Sequence, residues 1–328
     1  MIQKIAYILL LTVFTAVCIL GQNPTSTPQS PPQIAPTPID LETILIEAEK
    51  QTVNYHQTFR DLLATETKTF EDFDKNGELK DRTTIESIFL VYQSPKDESA
   101  SAELRNVVKK DDKLVPDSQA RADRFLAELE KTKTLEKELE KIQDEGLRYD
   151  KTLKISGFTL YEAVALASNL RPVFDFQLLG TENYQGREVY IVSYRQTKNS
   201  PFITVNKKSS NDKGIKVEFD ADIPGSLKKN DIFLSGKLWI DKQTFQTWRE
   251  ERRLIVQSPT PLVSFETIFE YTQSEFGILV PKKITIVEND IKKISKSDDF
   301  TTVKNLRVNF DYSKFKKTNV EVQIIDEP

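Results

Sequence analysis

From residue 173 onward the chain repeats one pattern: short stretches alternate apolar and polar residues, and turn residues break them. Ile232, Leu234, Leu238 and Ile240 share one parity; so do Val263, Phe265, Phe269 and Tyr271, and again Leu306, Val308 and Phe310. Side chains alternate across a strand, so such a stretch has one buried and one wet face, as antiparallel sheets do. Residues 174–180, 187–196, 215–222, 232–241, 245–256, 262–272, 279–289 and 301–312 read as strands. Earlier arms at 65–73 and 83–92 flank Asp74-Lys75-Asn76-Gly77, a hairpin signal, and 103–108 and 113–115 flank a second turn. The count is about eleven strands, and a sheet of that size must curl or split. The expected fold is α+β, mainly β: a single curved antiparallel sheet, an incomplete β-barrel, with N-terminal and inserted helices on its open side.

Three stretches carry the other period. In residues 41–63, Leu41, Ile44, Leu45, Ala48, Tyr55, Phe59 and Leu62 follow helical spacing behind Asp40, a capping residue. A helical insertion is expected at 117–148, where Phe125, Leu129, Leu135, Leu139 and Ile142 form a stripe and Gly146 is placed to stop it. A short Ala-rich helix is expected at 159–169, after the capping-box pattern of Thr159 and Glu162.

The first residues belong to neither pattern. Residues 5–20 carry no charge, follow Lys4, and are shorter than the roughly 20 residues a spanning helix needs. Residues 1–21 therefore read as a secretory signal peptide, which puts the remainder in the periplasm or outside the cell. Cleavage after a small residue, lipidation at Cys18 and an uncleaved anchor all stay open; Val17 and Thr15 depart from the usual lipidation pattern. Residues 22–39 hold six prolines, Pro24, Pro28, Pro31, Pro32, Pro36 and Pro38, and no charge, so they read as an extended linker or tether. Residues 40–328 are read as one domain, with membrane contact only through a tethered N-terminus.

Composition narrows the chemistry. Lys+Arg is 46 and Asp+Glu 50, giving a net charge of −4, which offers no basic surface for nucleic acid. The chain has 1 Cys and 1 His, so neither a disulfide nor a Cys/His zinc cluster can be built. His56, alone on the first helix, reads as a surface or packing residue. No phosphate-binding, nucleophile-elbow or zinc-protease motif is present, so no enzyme, cofactor or metal is expected.

Certain local sequences are familiar. Residues 235–250, SGKLWIDKQTFQTWRE, resemble the signature hairpin of LolA-like and RseB-like periplasmic proteins. Residues 278–284, ILVPKKI, resemble a later strand of that family, and residues 302–315, ending YSKF, resemble its closing strand. The resemblance covers residues 173–315, the first helix and the first hairpin. It departs from the family in the helical insertion and the proline-rich linker. It implies a curved half-barrel plugged by helices, and a protein that holds or senses a lipid or lipoprotein acyl chain in an apolar cavity. The alternative is an envelope interaction module with a filled core that contacts another envelope protein.

Candidate ligand residues follow from the strand faces. Phe265, Phe269, Tyr271, Ile284 and Ile286, with Leu160, Val164 and Ala167 of the short helix, are placed to wall a cavity or to form plain core. Trp239 stands on the face opposite Leu238 and Ile240. Residues 249–253, RERR interrupted by a second Glu, put five charges in one strand; Arg249, Glu251 and Arg253 share a face, and Glu250 and Arg252 the other. One set points inward as a polar rim for a head group, or both serve as cross-strand ion pairs; Arg249, Glu251 and Arg253 are taken as the rim. Lysine doublets, at 207–208 and elsewhere, read as solvated turns and edges.

Overall fold

Alternation in the sequence becomes one large sheet. The computed structural model describes residues 39–58, 62–96, 101–150, 163–208, 215–227, 231–294 and 299–317. Helix α1 is Leu41–Thr58; it is followed by strands β1 (Leu62–Phe73), β2 (Leu79–Gln93), β3 (Ser101–Lys110) and β4 (Lys113–Leu114). Helices α2 (Ser118–Glu130) and α3 (Leu135–Gly146) come next. Then come β5 (Phe174–Tyr184), β6 (Arg187–Gln196), β7 (Ile203–Val205), β8 (Val217–Phe219), β9 (Ile232–Asp241), β10 (Thr247–Val256), β11 (Leu262–Gln273), β12 (Leu279–Lys293) and β13 (Phe300–Lys317).

The sheet has 11 strands in the order β4-β3-β2-β1-β13-β12-β11-β10-β9-β6-β5, every neighbour antiparallel. β13 runs beside β1, so the first and last long strands meet. β4 and β5 do not pair with one another, and the sheet stays open. One extra residue interrupts the ladder at Leu179, Trp248, Ser264 and Lys282. Such bulges bend a strand and raise its twist, which curves a sheet this wide. The bulge at Ser264 also switches parity, so Val263 leaves the buried face that Phe265, Phe269 and Tyr271 share.

The core has two main parts. Beneath α1, Ile44, Leu45 and Ala48 meet Val164, Leu166 and Leu170 and the inner residues of β6, β9 and β10. Farther along, Phe70, Phe89, Ile284, Val308 and Phe310 form a second cluster across β1, β2, β12 and β13. A smaller one joins Leu129 and Ile142 of α2 and α3 to Leu104 of β3. Burying each such side chain contributes roughly 1.5–3 kcal/mol.

Four sequence expectations need correction. α1 stops at Thr58, because Leu62 and Leu63 already pair with Lys317 and Lys316 of β13. The insertion is two helices, broken where Thr134 takes the extended cap conformation and accepts from the Lys137 amide. The expected helix at 159–169 shows, in its described part, a single 3-10 turn at Val164–Leu166, and Ala163 is left-handed at φ 47. The strand read at 215–222 shrinks to β8, which pairs in parallel with β7 in a separate 2-stranded sheet.

Candidate functional site

The inner face of the sheet, the one α1 covers, carries a buried polar group at its centre. On β10, Leu254 and Val256 point to α1, and Glu250 and Arg252 have their parity. Glu250 is 0% exposed. Its carboxylate accepts from the Tyr194 hydroxyl at 2.6 Å, from Arg252 Nε at 3.1 Å and Nη2 at 2.7 Å, and from the Ala163 amide at 3.0 Å. The last bond explains why the chain abandons a helix there: a backbone donor is spent on the sheet instead. Burial works against the charge on Arg252, but the adjoining Glu250 outweighs it and holds its pKa above the ordinary arginine value. Burial and then Glu250 raise the Tyr194 pKa well above the ordinary tyrosine value.

Gly236 lies between Tyr194 and Arg252 across β6, β9 and β10. A Cβ there would stand 2.5 Å from the Tyr194 hydroxyl oxygen and 2.1 Å from the Glu251 carbonyl oxygen. A glycine in a strand commonly marks such a close approach. Here it lets the Tyr194 ring cross to Glu250.

A second buried network ties the insertion to the sheet. Arg105 donates to Glu66 at 2.8 Å and to Glu103 at 2.6 Å; Tyr312 donates to Glu66 at 2.9 Å. Lys68 donates to both oxygens of Asp150, at 2.9 Å each. Burial, then Arg105, lowers the Lys68 pKa, and burial raises that of Asp150. These charges are satisfied by each other, which is how buried ions are tolerated.

The outer face is wet. Arg249 donates to Glu251 at 2.9 Å and Glu270 at 3.1 Å, and Arg253 to Glu266 at 2.7 Å. Arg249, Glu251 and Arg253, taken from sequence as the inward rim, therefore face outward; Glu250 and Arg252 are the inward pair. Trp239 shares the outer face, under Arg249 at 5.2 Å, with its ring N–H donated to Glu182 at 2.6 Å. Glu251 and Arg253 border a depression of about 580 Å³ whose other walls include Asp175, Gln177 and Lys237.

The expected apolar wall is divided. Phe265 belongs to the core under α1 and packs on Phe219 with ring centroids 5.5 Å apart. Phe269, Tyr271 and Ile284 belong to the second cluster, with Ile286 half-buried against it; Phe269 also lies beneath Arg252 at 4.8 Å. Val164 is buried and Ala167 half-buried under α1. Leu160 and Cys18 lie outside the described residues, as does the side chain of His56. No group of three or more metal-ligating side chains occurs among the described residues, and no described helix is long and apolar enough to cross a membrane.

Open space lies instead at one rim of the sheet. A groove of about 730 Å³ runs between the segment 199–208 and the sheet. Its lining includes Ile232 of β9, Leu254 of β10, Ile203 and Val205 of β7, and Lys207 and Lys208. The sequence reading missed this groove, because its walls come from three separate stretches. It also missed Tyr194 and Gly236. Glu250 and Arg252 were legible as a pair, and the apolar parity of Leu254 and Val256 marks them as inward.

No protein-family model matches the chain, and no curated protein matches it. Among solved structures it is similar to a domain from Vibrio parahaemolyticus described as an outer membrane lipoprotein-sorting protein domain, at 10% identity and TM-score 0.38, covering 86% of this chain and 94% of that one. It is similar to a DUF1329 family protein from Desulfovibrio piger, at 11% and 0.35, covering 85% and 94%. A LolA superfamily protein from Nitrosomonas europaea matches at 10% and 0.29, covering 88% and 99%. None of them carries a residue role over to this chain.

Proposed function

We propose that this chain is an exported, non-enzymatic binding protein of the cell envelope that holds an apolar chain in the groove between β7 and the inner sheet face. The observation that carries the reading is the groove itself. Its volume, about 730 Å³, falls within the range of pockets that enclose small ligands, about 300–1,000 Å³. Its apolar side chains include Ile203 and Val205 of β7, Ile232 of β9 and Leu254 of β10. The signal-like residues 1–21 and the resemblance of residues 235–250 to LolA-like hairpins support an envelope role. Cys18 would tether the protein to a membrane if lipidated.

The test fills the groove. Ile232→Trp should weaken binding of a hydrophobic fluorescent probe about tenfold, the equivalent of 1.4 kcal/mol, with the circular dichroism spectrum unchanged. Unchanged probe binding in that folded variant would count against the groove.

A second reading, an envelope interaction module, is favoured by β5. It ends the sheet and pairs only with β6 among the described residues. An unpaired edge is a template for a strand from another chain. Protection of β5 amides by an envelope extract, without probe binding in the groove, would favour this reading.

A further inference from the structure

We propose that the groove takes a long-chain fatty acid, with its carboxylate held at Lys207 and Lys208. The inference rests on the groove reading above and names the ligand's charge.

The lining is lopsided in charge. It includes two lysines and no carboxylate, in a chain whose net charge is −4. Both lysines are exposed, and neither has a salt bridge among the described residues. On β10, by contrast, Arg249 pairs with Glu270 and Arg253 with Glu266.

The lysines are also carried on fixed backbone. Asn206 is left-handed at φ 54 and exchanges two side-chain hydrogen bonds with the Ala221 backbone, each 2.7 Å. Its own amide donates to the Phe219 carbonyl at 2.8 Å. The Thr204 hydroxyl, on a buried residue, donates to the Lys207 carbonyl at 2.8 Å. A flexible loop would lose entropy on ordering around a ligand; this turn has already lost it.

Apolar wall and cation thus occupy one groove. That combination fits an amphiphile with one anionic end, since the chain gains roughly 25 cal/mol per Å² removed from water and a carboxylate makes charge-assisted hydrogen bonds to ammonium groups. A single chain suits a single groove of this volume.

The experiment uses the full-length chain with a fluorescent polyunsaturated fatty acid as probe, displaced by oleate or by oleyl alcohol. Oleate should displace it at about tenfold lower concentration than the alcohol, the equivalent of 1.4 kcal/mol. In K207Q/K208Q the fatty-acid probe itself should bind about tenfold more weakly, and, once corrected for that probe affinity, the preference for oleate should fall below about twofold while the inhibition constant of the alcohol stays the same. Equal displacement by both in the wild-type chain would overturn the carboxylate assignment and leave the apolar groove standing. A preference that survives in K207Q/K208Q would overturn it too. If neither molecule displaces the probe, or Ile232→Trp leaves displacement unchanged, the groove reading fails and takes this inference with it.

Discussion

Replacing Arg252 by Met isolates the buried charge at the centre of the inner face. Arg252 supplies two of the four donors to Glu250, at 3.1 and 2.7 Å. After the change Tyr194 and the Ala163 amide remain, and a carboxylate that is 0% exposed has lost its only cation among the described residues. Breaking a buried pair from one side costs about 3–5 kcal/mol. Met keeps an apolar contact with Phe269 but forfeits the cation–π interaction at 4.8 Å, which adds about 0.5–2 kcal/mol. Equilibrium urea unfolding, followed by the fluorescence of Trp239 and Trp248, reads the loss. Adding Glu250→Gln removes the stranded charge and should restore about 1–2 kcal/mol, the difference between a charged and a neutral buried group. A loss under about 1 kcal/mol for Arg252→Met, or further destabilisation on adding Glu250→Gln, would refute the reasoning.

Other perturbations have defined outcomes. Gly236→Ala should cost about 1–3 kcal/mol in urea unfolding, because its Cβ meets Tyr194 and the Glu251 carbonyl; a neutral result would mean Tyr194 does not cross that position. Phe310→Ala should cost about 3–5 kcal/mol, since Phe310 is 0% exposed in the second cluster. Acid should destabilise the chain. Burial opposes the charges on Glu66 and Glu138, but Arg105 for the first and Lys96 for the second hold their pKa values below normal; the Arg307 hydrogen bond does so for Glu71. Folded values below unfolded ones give stability that is present above about pH 4.3 and lost as pH falls through the folded values. Asp150 has the opposite sign: burial raises it, so its contribution is present below its unfolded value and lost as pH rises. Asp150→Asn should therefore steepen the acid loss seen in urea midpoints, and a shallower slope would contradict these assignments.

The strands were legible where one face is dry and the other wet. β9 falls at 232–241 as read: Leu234, Leu238 and Ile240 are 0% exposed on one face, and Asp241 opens a turn by accepting from the Gln243 and Thr244 amides. β10 starts two residues later than expected, at Thr247, since Phe245 is left-handed at φ 57. Long-range partners decided what local pattern could not. The Ala163 amide is bonded to Glu250, 87 residues away, in place of a helix. β8 pairs in parallel with β7, a contact without a local signal. Bulges hid the faces: Ser264 displaces Val263, and Trp248 interrupts the parity leading into the charged run. The groove was illegible for a related reason: Ile203, Ile232 and Leu254, far apart in sequence, come together only in the fold.

Photocrosslinking tests the central claim most directly. A long-chain fatty acid bearing a diazirine along its chain, irradiated with the full-length protein and mapped by mass spectrometry, should label Ile203, Val205, Ile232 or Leu254, the apolar lining of the groove. Labelling concentrated on Phe269, Tyr271 and Ile284 in the second cluster, or spread evenly over the surface, would contradict it.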